Sequence, residues 1–256
     1  MKHGFGIREA TLVRAALLAV LVAVLEIACR TGLIQRFTMI PPSEMVVSLV
    51  RLFQNRDVLA DAGQTLLSVF IALACALVAG FAMGVALYAF PRARRIADPL
   101  LTTYYSVPVF VFYPLLIVLF GLNAIPKTVI GFLYAVVVMA INTLNGLERV
   151  PFVYWKTAQV HHLSRMQTAL HLILPCAGPY LFTGAKFAIA YAFVGVIGSE
   201  FILSTGGLGY RVSFAYNNFQ SDVMYGVILF VLVIVVCINM ALYAWERVLM
   251  ERRGGR

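Results

Sequence analysis

The reading that decides the fold is of Gly63–Phe90, GQTLLSVFIALACALVAGFAMGVALYAF, a run without one charged side chain. About 20 apolar helical residues cross a bilayer core of roughly 30 Å, so this stretch is long enough to span it. The unbroken block lacks the alternation of about ten residues that marks an outer-membrane barrel strand. Five further apolar runs predict spans at Leu12–Cys29, Tyr104–Gly121, Lys127–Asn145, Pro179–Leu203 and Asp222–Trp245. With 62% hydrophobic residues, 12% charged residues and a mean hydropathy of +0.90, the chain is too apolar for a soluble domain. The sequence therefore predicts an all-α, polytopic membrane helix bundle with six transmembrane helices. Its organisation reads as an N-terminal span and outer interfacial helix over 1–62, a core over 63–245 and a basic tail over 246–256.

Lys and Arg are retained on the cytoplasmic side of a membrane. With the N-terminus inside, thirteen of the 20 basic residues fall in cytoplasmic segments and six in outer ones, while Lys186 lies within the fifth span. Both termini and the segment Glu148–Pro175 are thus expected to face the cytoplasm. The net charge of +9 then reflects this bias and attraction to anionic headgroups, with no role for nucleic acid. The first span is read as retained, because Glu26 interrupts its apolar end and no small-x-small cleavage site follows. Cys29, Cys75, Cys176 and Cys237 have no C-x-x-C spacing and read as small packing residues.

Between the first two spans, Pro41-Pro42-Ser43 is a helix-start signal, followed by Met45, Val46, Leu49, Val50 and Phe53 at helical spacing. A short helix at the outer interface is expected, either as a lid on the bundle or as a partner contact. Phe90-Pro-Arg-Ala-Arg-Arg95 reads as a compact cytoplasmic turn. Gly80 and Gly84 form a small-xxx-small pair that lets a neighbouring helix approach closely. In the third span Pro108 and Pro114 each remove a backbone donor, so the segment is either a pathway wall or a static kink.

Polar groups at membrane depth are functional candidates by default. Tyr104, Tyr105, Ser106, Asn142 and Glu200 are the candidate substrate-pathway residues. Glu200 has three open roles: gating, pairing with a basic residue, or facing water. Lys186 is the clearly embedded charge and is close enough to an end to snorkel. Gly121–Thr128 fails as a phosphate loop, since Pro126 replaces the needed glycine. His161-His162 lack a helix-spaced third ligand, and no G-x-S-x-G elbow is present. The chain is therefore expected not to be an enzyme and to hold no cofactor or metal itself.

Glu148–Pro175 is polar and basic between two strongly apolar segments. Val153, Trp155, Val160 and Leu163, then Met166, Leu170 and Ile173, fit two short helices joined around His161–Ser164 and ended at Leu174-Pro175. A helix pair of this kind suits insertion into a groove on a soluble partner.

A triplet ending in alanine, a two-helix loop and Ile173-Leu-Pro175, followed by Pro179-Tyr-Leu-Phe-Thr-Gly184, resemble the EAA loop of permease subunits of bacterial binding-protein-dependent ABC importers. Tyr105-Ser-Val-Pro108, Pro114–Gly121, Asn142–Leu147, Ser199-Glu200-Phe201 and Gly207-Leu-Gly209-Tyr210 are similar to the nitrate, sulfonate, taurine and bicarbonate branch. The resemblance covers roughly Thr65 to Trp245. It implies a type I importer permease, MetI-like, that pairs with a second permease subunit and carries a small polar or anionic solute across the inner membrane. It also implies a cytoplasmic ATPase dimer, which would bind ATP and Mg, and a periplasmic or lipid-anchored substrate-binding protein delivering near Leu203–Asn218. The implied ATPase-docking residues are Trp155, Lys156, Thr157, Ala158, His161, His162, Leu163, Ser164 and Arg165.

At the signature positions the chain departs from the pattern. Lys156 stands where the family has glutamate, Thr157 where it has its first alanine, and His162 where it has the inter-helix glycine. A partner arginine that expects an acid would meet a like charge at Lys156. Either the cognate ATPase compensates, which is favoured here with a homodimer, or this is the degenerate half of a heterodimer. Two rival classes compete with the importer. A secondary transporter or channel would want inverted repeats and embedded charges, and a membrane enzyme would want clustered His, Asp or Glu at one depth.

Overall fold

The computed structural model describes residues 7–104 and 107–254, so Tyr105 and Ser106 lie outside the described residues. All regular structure among these residues is helical. In chain order the helices are α1 (Ile7–Arg30), α2 (Pro42–Leu52), α3 (Arg56–Ala89), α4 (Pro91–Tyr104), α5 (Tyr113–Phe120), α6 (Ala124–Glu148), α7 (Phe152–Val160), α8 (Arg165–Thr168), α9 (Leu174–Ile202), α10 (Leu208–Asn217) and α11 (Ser221–Gly254). A 3-10 turn, Val109–Phe112, precedes α5, and a π-helical turn, Ala169–Ile173, links α8 to α9.

Among the described residues five helices are long and apolar enough to cross a membrane, and a sixth crossing arises only if the bent pair Pro91–Tyr104 and Val109–Phe120 counts as one span. Over the expected third span, Tyr104–Gly121, the described residues therefore form separate helical segments and not one unbroken helix. Its prolines start helical segments instead of kinking one helix: Pro108 precedes the 3-10 turn and Pro114 sits in the first turn of α5. There a missing N–H costs nothing. The expected turn at Phe90–Arg95 is likewise replaced by helix α4, which begins at Pro91 for the same reason.

Packing divides the chain into two compact units, Met1–Leu59 with Arg211–Val233, and Ala60–Tyr210 with Ile234–Arg256. In the first unit the helix expected after Pro41 is present as α2. Pro41 has no side chain able to cap it, and Glu26 of α1 supplies the acceptor, taking the Ser43 backbone N–H at 3.0 Å and its hydroxyl at 2.7 Å. A carboxylate at a helix N-terminus satisfies an otherwise orphaned donor. Beyond α2, Phe53 meets Phe230 edge-on at 5.1 Å, and Tyr225 donates to the Thr38 carbonyl at 2.7 Å.

The second unit is organised around α6 and α9. Ala135 and Ala140 of α6 and Ala188, Ala192 and Val196 of α9 are fully buried. Small residues bring the backbones together: a Cβ at Gly195 would lie 2.7 Å from the Gly131 Cα, and one at Gly184 would lie 2.7 Å from the Asn142 Cβ. The expected small pair on α3 packs the same way, since a Cβ at Gly80 would lie 2.7 Å from the Val136 carbonyl oxygen, and one at Gly84 2.7 Å from that of Ala140. Lipid is as apolar as leucine, so close van der Waals contact is what favours helix association there. Gly195→Val should force α6 and α9 apart and cost about 1–3 kcal/mol, the usual cost of overpacking. Thermal unfolding of the detergent-solubilised protein checks this against Val194→Ala, an exposed neighbour expected to change little.

Candidate functional site

α7 and α8 form the expected helix pair, and its joint is fully capped. Leu163 N–H donates to the Ala158 carbonyl at 2.9 Å and His162 N–H to the Gln159 carbonyl at 3.1 Å, the two bonds of a Schellman motif. That motif needs one left-handed residue, and His162 supplies it at φ 48°. The position resembling the family glycine is thus one where the backbone requires what glycine does best. Histidine keeps the conformation at a cost of about 1–2 kcal/mol. Immediately after, Ser164 and Gln167 build a capping box: the Ser164 hydroxyl accepts from Gln167 N–H at 3.3 Å, and the Gln167 side chain accepts from Ser164 N–H at 2.9 Å.

The second helix does not end at Leu174-Pro175, a correction to the expected boundary. It widens into the π-helical turn and continues as α9, giving one helical run over Arg165–Ile202. Pro175 has no N–H to return to the preceding turn, and a wider turn places it at the start of α9 without a lost α-helical bond. The helix pair is therefore joined covalently to the core helix α9 by a continuous helix.

Trp155, Ala158, His162, Leu163 and Arg165 line one cavity of about 690 Å³, together with Gln159, Thr168 and Ile173. Within the expected docking set, Ala158 is buried and is scaffold, Trp155, Thr157 and Leu163 are half-buried, and Lys156, His161, His162, Ser164 and Arg165 are exposed. Lys156 lies over the Phe152 ring at 5.4 Å. Residues 149–175 contain no Asp or Glu, and the neighbouring Glu148 is paired with Arg94. The exposed face of this helix pair is therefore basic and apolar, including Phe152, Val153, Val160 and Met166.

A second constellation was not legible as such in the sequence. Lys127, at the start of α6, and Glu200, near the end of α9, are 1% and 0% exposed and form an ion pair of 2.8 Å. Buried Thr65 of α3 sits between the two Glu200 oxygens at 3.0 and 2.9 Å, and its hydroxyl accepts the Leu208 N–H at 2.9 Å. Gly209 N–H donates to Glu200 at 3.0 Å, and Gly207 N–H to Asp61 at 2.9 Å. Glu200 thus acts as a carboxylate cap for α10, with its charge balanced by Lys127. Gly207 has φ 107° and a Cβ there would collide with the Glu200 carboxylate, so glycine is required on two counts.

This corrects the expectation that Lys186 is the clearly embedded charge. Lys186 is half-buried beside the Phe182 ring, whereas Lys127, counted among outer residues, is interior. Of Glu200's three open roles, the structure displays the pairing one. The separation of 73 residues hid the partner. The available signal was topological: opposite charges at the start of one span and the end of the next antiparallel one lie at the same end of a bundle.

The described pathway candidates do not form one cluster. Glu200 meets α6 at Lys127, the Tyr104 hydroxyl meets it at the Leu133 carbonyl at 2.9 Å, and Asn142 donates within α6 to Val138 at 2.8 Å. At about 1.5 Å per helical residue these are three separate levels of the same helix.

Helices long and apolar enough to cross a membrane, packed through small residues and carrying a capped basic helix pair at one end, define a polytopic membrane protein of the all-α class. The chain belongs to the binding-protein-dependent transport system inner membrane component family, which it matches over residues 76–254. It is 27% identical over 242 residues to the taurine transport system permease protein TauC of Escherichia coli, covering 93% of this chain and 88% of that protein. It is 26% identical over 219 residues to the putative aliphatic sulfonates transport permease protein SsuC of Bacillus subtilis, covering 84% and 78%. Nitrate import permease protein NrtB of Leptolyngbya laminosa is 29% identical over 143 residues, covering 56% and 51%. A chain from a solved structure of the MetNI methionine ABC transporter in inward-facing conformations aligns with a TM-score of 0.63 at 22% identity, covering 75% of this chain and 95% of that one. That likeness bears on the fold alone, and it agrees with the MetI-like architecture expected from the sequence. The chain is a multi-pass inner-membrane permease subunit of an ABC importer, and ATP hydrolysis belongs to separate ATPase subunits. Its partners are, in general terms, an ATPase and a substrate-binding protein.

Replacing His162 with glycine should stabilise the α7–α8 joint by about 1 kcal/mol, and Ser164→Ala should destabilise it by about 1 kcal/mol. Hydrogen exchange at the Leu163 and Gln167 amides reads both effects, with slower exchange in the first variant and faster in the second.

Proposed function

We infer that the helix pair seats on a cytoplasmic ATPase and that the α6–α9 core transmits its movement to a pathway for a small polar or anionic solute of the sulfonate, taurine or nitrate class. The single observation that carries the docking reading is the rigid, doubly capped helix pair that runs without interruption into the most buried helix pair of the core. A force applied at α7 or α8 therefore reaches α9 directly. ATP and Mg would be held by the ATPase, with both termini and Glu148–Pro175 on the cytoplasmic side, as the distribution of basic residues supports. A homodimer is the favoured assembly, with the binding protein approaching near Leu203–Asn218.

The substrate class rests on the names of the relatives and on the polar character of Tyr104 and Asn142. The docking face has cations and apolar side chains where the resembled family carries an acid, so the cognate ATPase is expected to offer a compensating acidic surface. Purification of the tagged chain in mild detergent should bring down an ATPase, and transport by the reconstituted complex should require ATP. Failure of both would remove the docking reading. In the same preparation Lys156→Glu should lower recovery of the ATPase at least about tenfold by setting like charges against each other. Unchanged recovery and ATPase rate would show that Lys156 makes no energetic contact.

A further inference from the structure

Along α6 and α9 the buried cluster at Lys127 and Glu200 lies at the end of the core remote from the helix pair. From Lys127 to Glu148, α6 rises roughly 30 Å, about the thickness of a hydrocarbon core. What the cluster holds is the turn Ser204–Gly207 and the first residues of α10. Lys127 reaches the Gly206 carbonyl at 3.4 Å, and the N–H groups of Gly207, Leu208 and Gly209 end on Asp61, Thr65 and Glu200. Three helices, α3, α6 and α9, thus spend side chains on one turn, and the two charges that hold it are dry.

We propose that Lys127 and Glu200 are positioning residues for transport, a charge-balanced latch that keeps the 204–209 turn seated over the ends of α3, α6 and α9. The physical basis is a linkage. Seated, the turn excludes water from both charges, and the N–H groups of Gly207, Leu208 and Gly209 are bonded. Unseated, both charges are hydrated. Removing one charge leaves its partner buried without compensation, which strongly favours the hydrated arrangement, whereas replacing both with neutral side chains of similar volume is close to neutral. The pair therefore makes this turn a two-state element, and its seating is set by charge balance more than by packing.

The proposal also separates the two ways of rescuing a broken pair. Glu200→Gln keeps an oxygen that can accept from Gly209 N–H, and Lys127→Met keeps the volume of the lysine stem. Exchanging the charges, Lys127→Glu with Glu200→Lys, restores an ion pair but puts a donor where Thr65 and Gly209 need an acceptor. The neutral double variant should therefore recover the seated turn, and the exchanged one should not.

The test uses Leu208, which is 2% exposed, as reporter. Leu208→Cys is placed in a chain whose native cysteines are changed to serine, assembled with its ATPase in proteoliposomes, and reacted with a charged maleimide. Glu200→Gln should raise the labelling rate at least about tenfold. The double variant Lys127→Met with Glu200→Gln should return within about threefold of the parent, and the exchanged pair should stay fast. ATP-dependent uptake should be lost in Glu200→Gln and regained in the neutral double variant, a recovery that loss of an ordinary stabilising contact would not produce. Thr65→Val, which removes one bridge without unbalancing charge, provides a variant milder than the charge changes and should give an intermediate rate. Slow labelling in Glu200→Gln, or labelling in the neutral double variant as fast as in the single one, would overturn the proposal. Because labelling is read without ATP, such a result is distinct from a failure of the ATPase-docking reading.

Discussion

The contact on which the rest of the second unit depends is the close approach of α6 to α9. Gly131 faces Gly195, Gly184 faces Asn142, and fully buried alanines fill the seam. In lipid there is no water to squeeze out between helices, so affinity must come from the number of atoms in contact and from polar groups that cannot be left unpaired. Small side chains supply the first of these. They also let the two backbones touch, so the pair forms a close-packed strut from the helix pair to the Lys127 end.

At each end of that strut the backbone has a different problem. Near the helix pair Pro175 falls inside a helical run, and the chain accommodates it with a π-helical turn just before it, so that α8 and α9 remain continuous. At the far end a tight glycine turn must pass from α9 into α10 with its N–H groups satisfied, and it borrows acceptors from α3 and α9. The first solution gives mechanical continuity. The second gives a turn whose seating depends on a buried charge balance, an expensive arrangement that a membrane protein has no reason to keep for packing alone.

Glu26 in the first unit repeats the second solution on a small scale. A carboxylate from one helix serves the N-terminus of another, where a proline cannot cap for itself. In both places the acid was visible in the sequence as an anomaly in an apolar run, and in both its meaning lay in a residue distant along the chain.

Much of the fold was legible because lipid imposes a length and a composition on each crossing: the apolar runs, the helix after Pro41, the close-packing face at Gly80 and Gly84, and the two helices around His161–Ser164 all follow from periodicity and local stereochemistry. The interruption of the third apolar run was not, because Pro108 and Pro114 are compatible with either a kinked helix or the start of a new one. The left-handed need at His162 was visible only through the resemblance to a glycine position, since histidine itself gives no local sign of positive φ. Lys127 and Glu200 could each be seen as a charge at the end of a span. That they meet, exclude water and hold one turn was decided by tertiary structure, because pairing across α6 and α9 depends on how two helices face each other, and no local property of either segment contains that information.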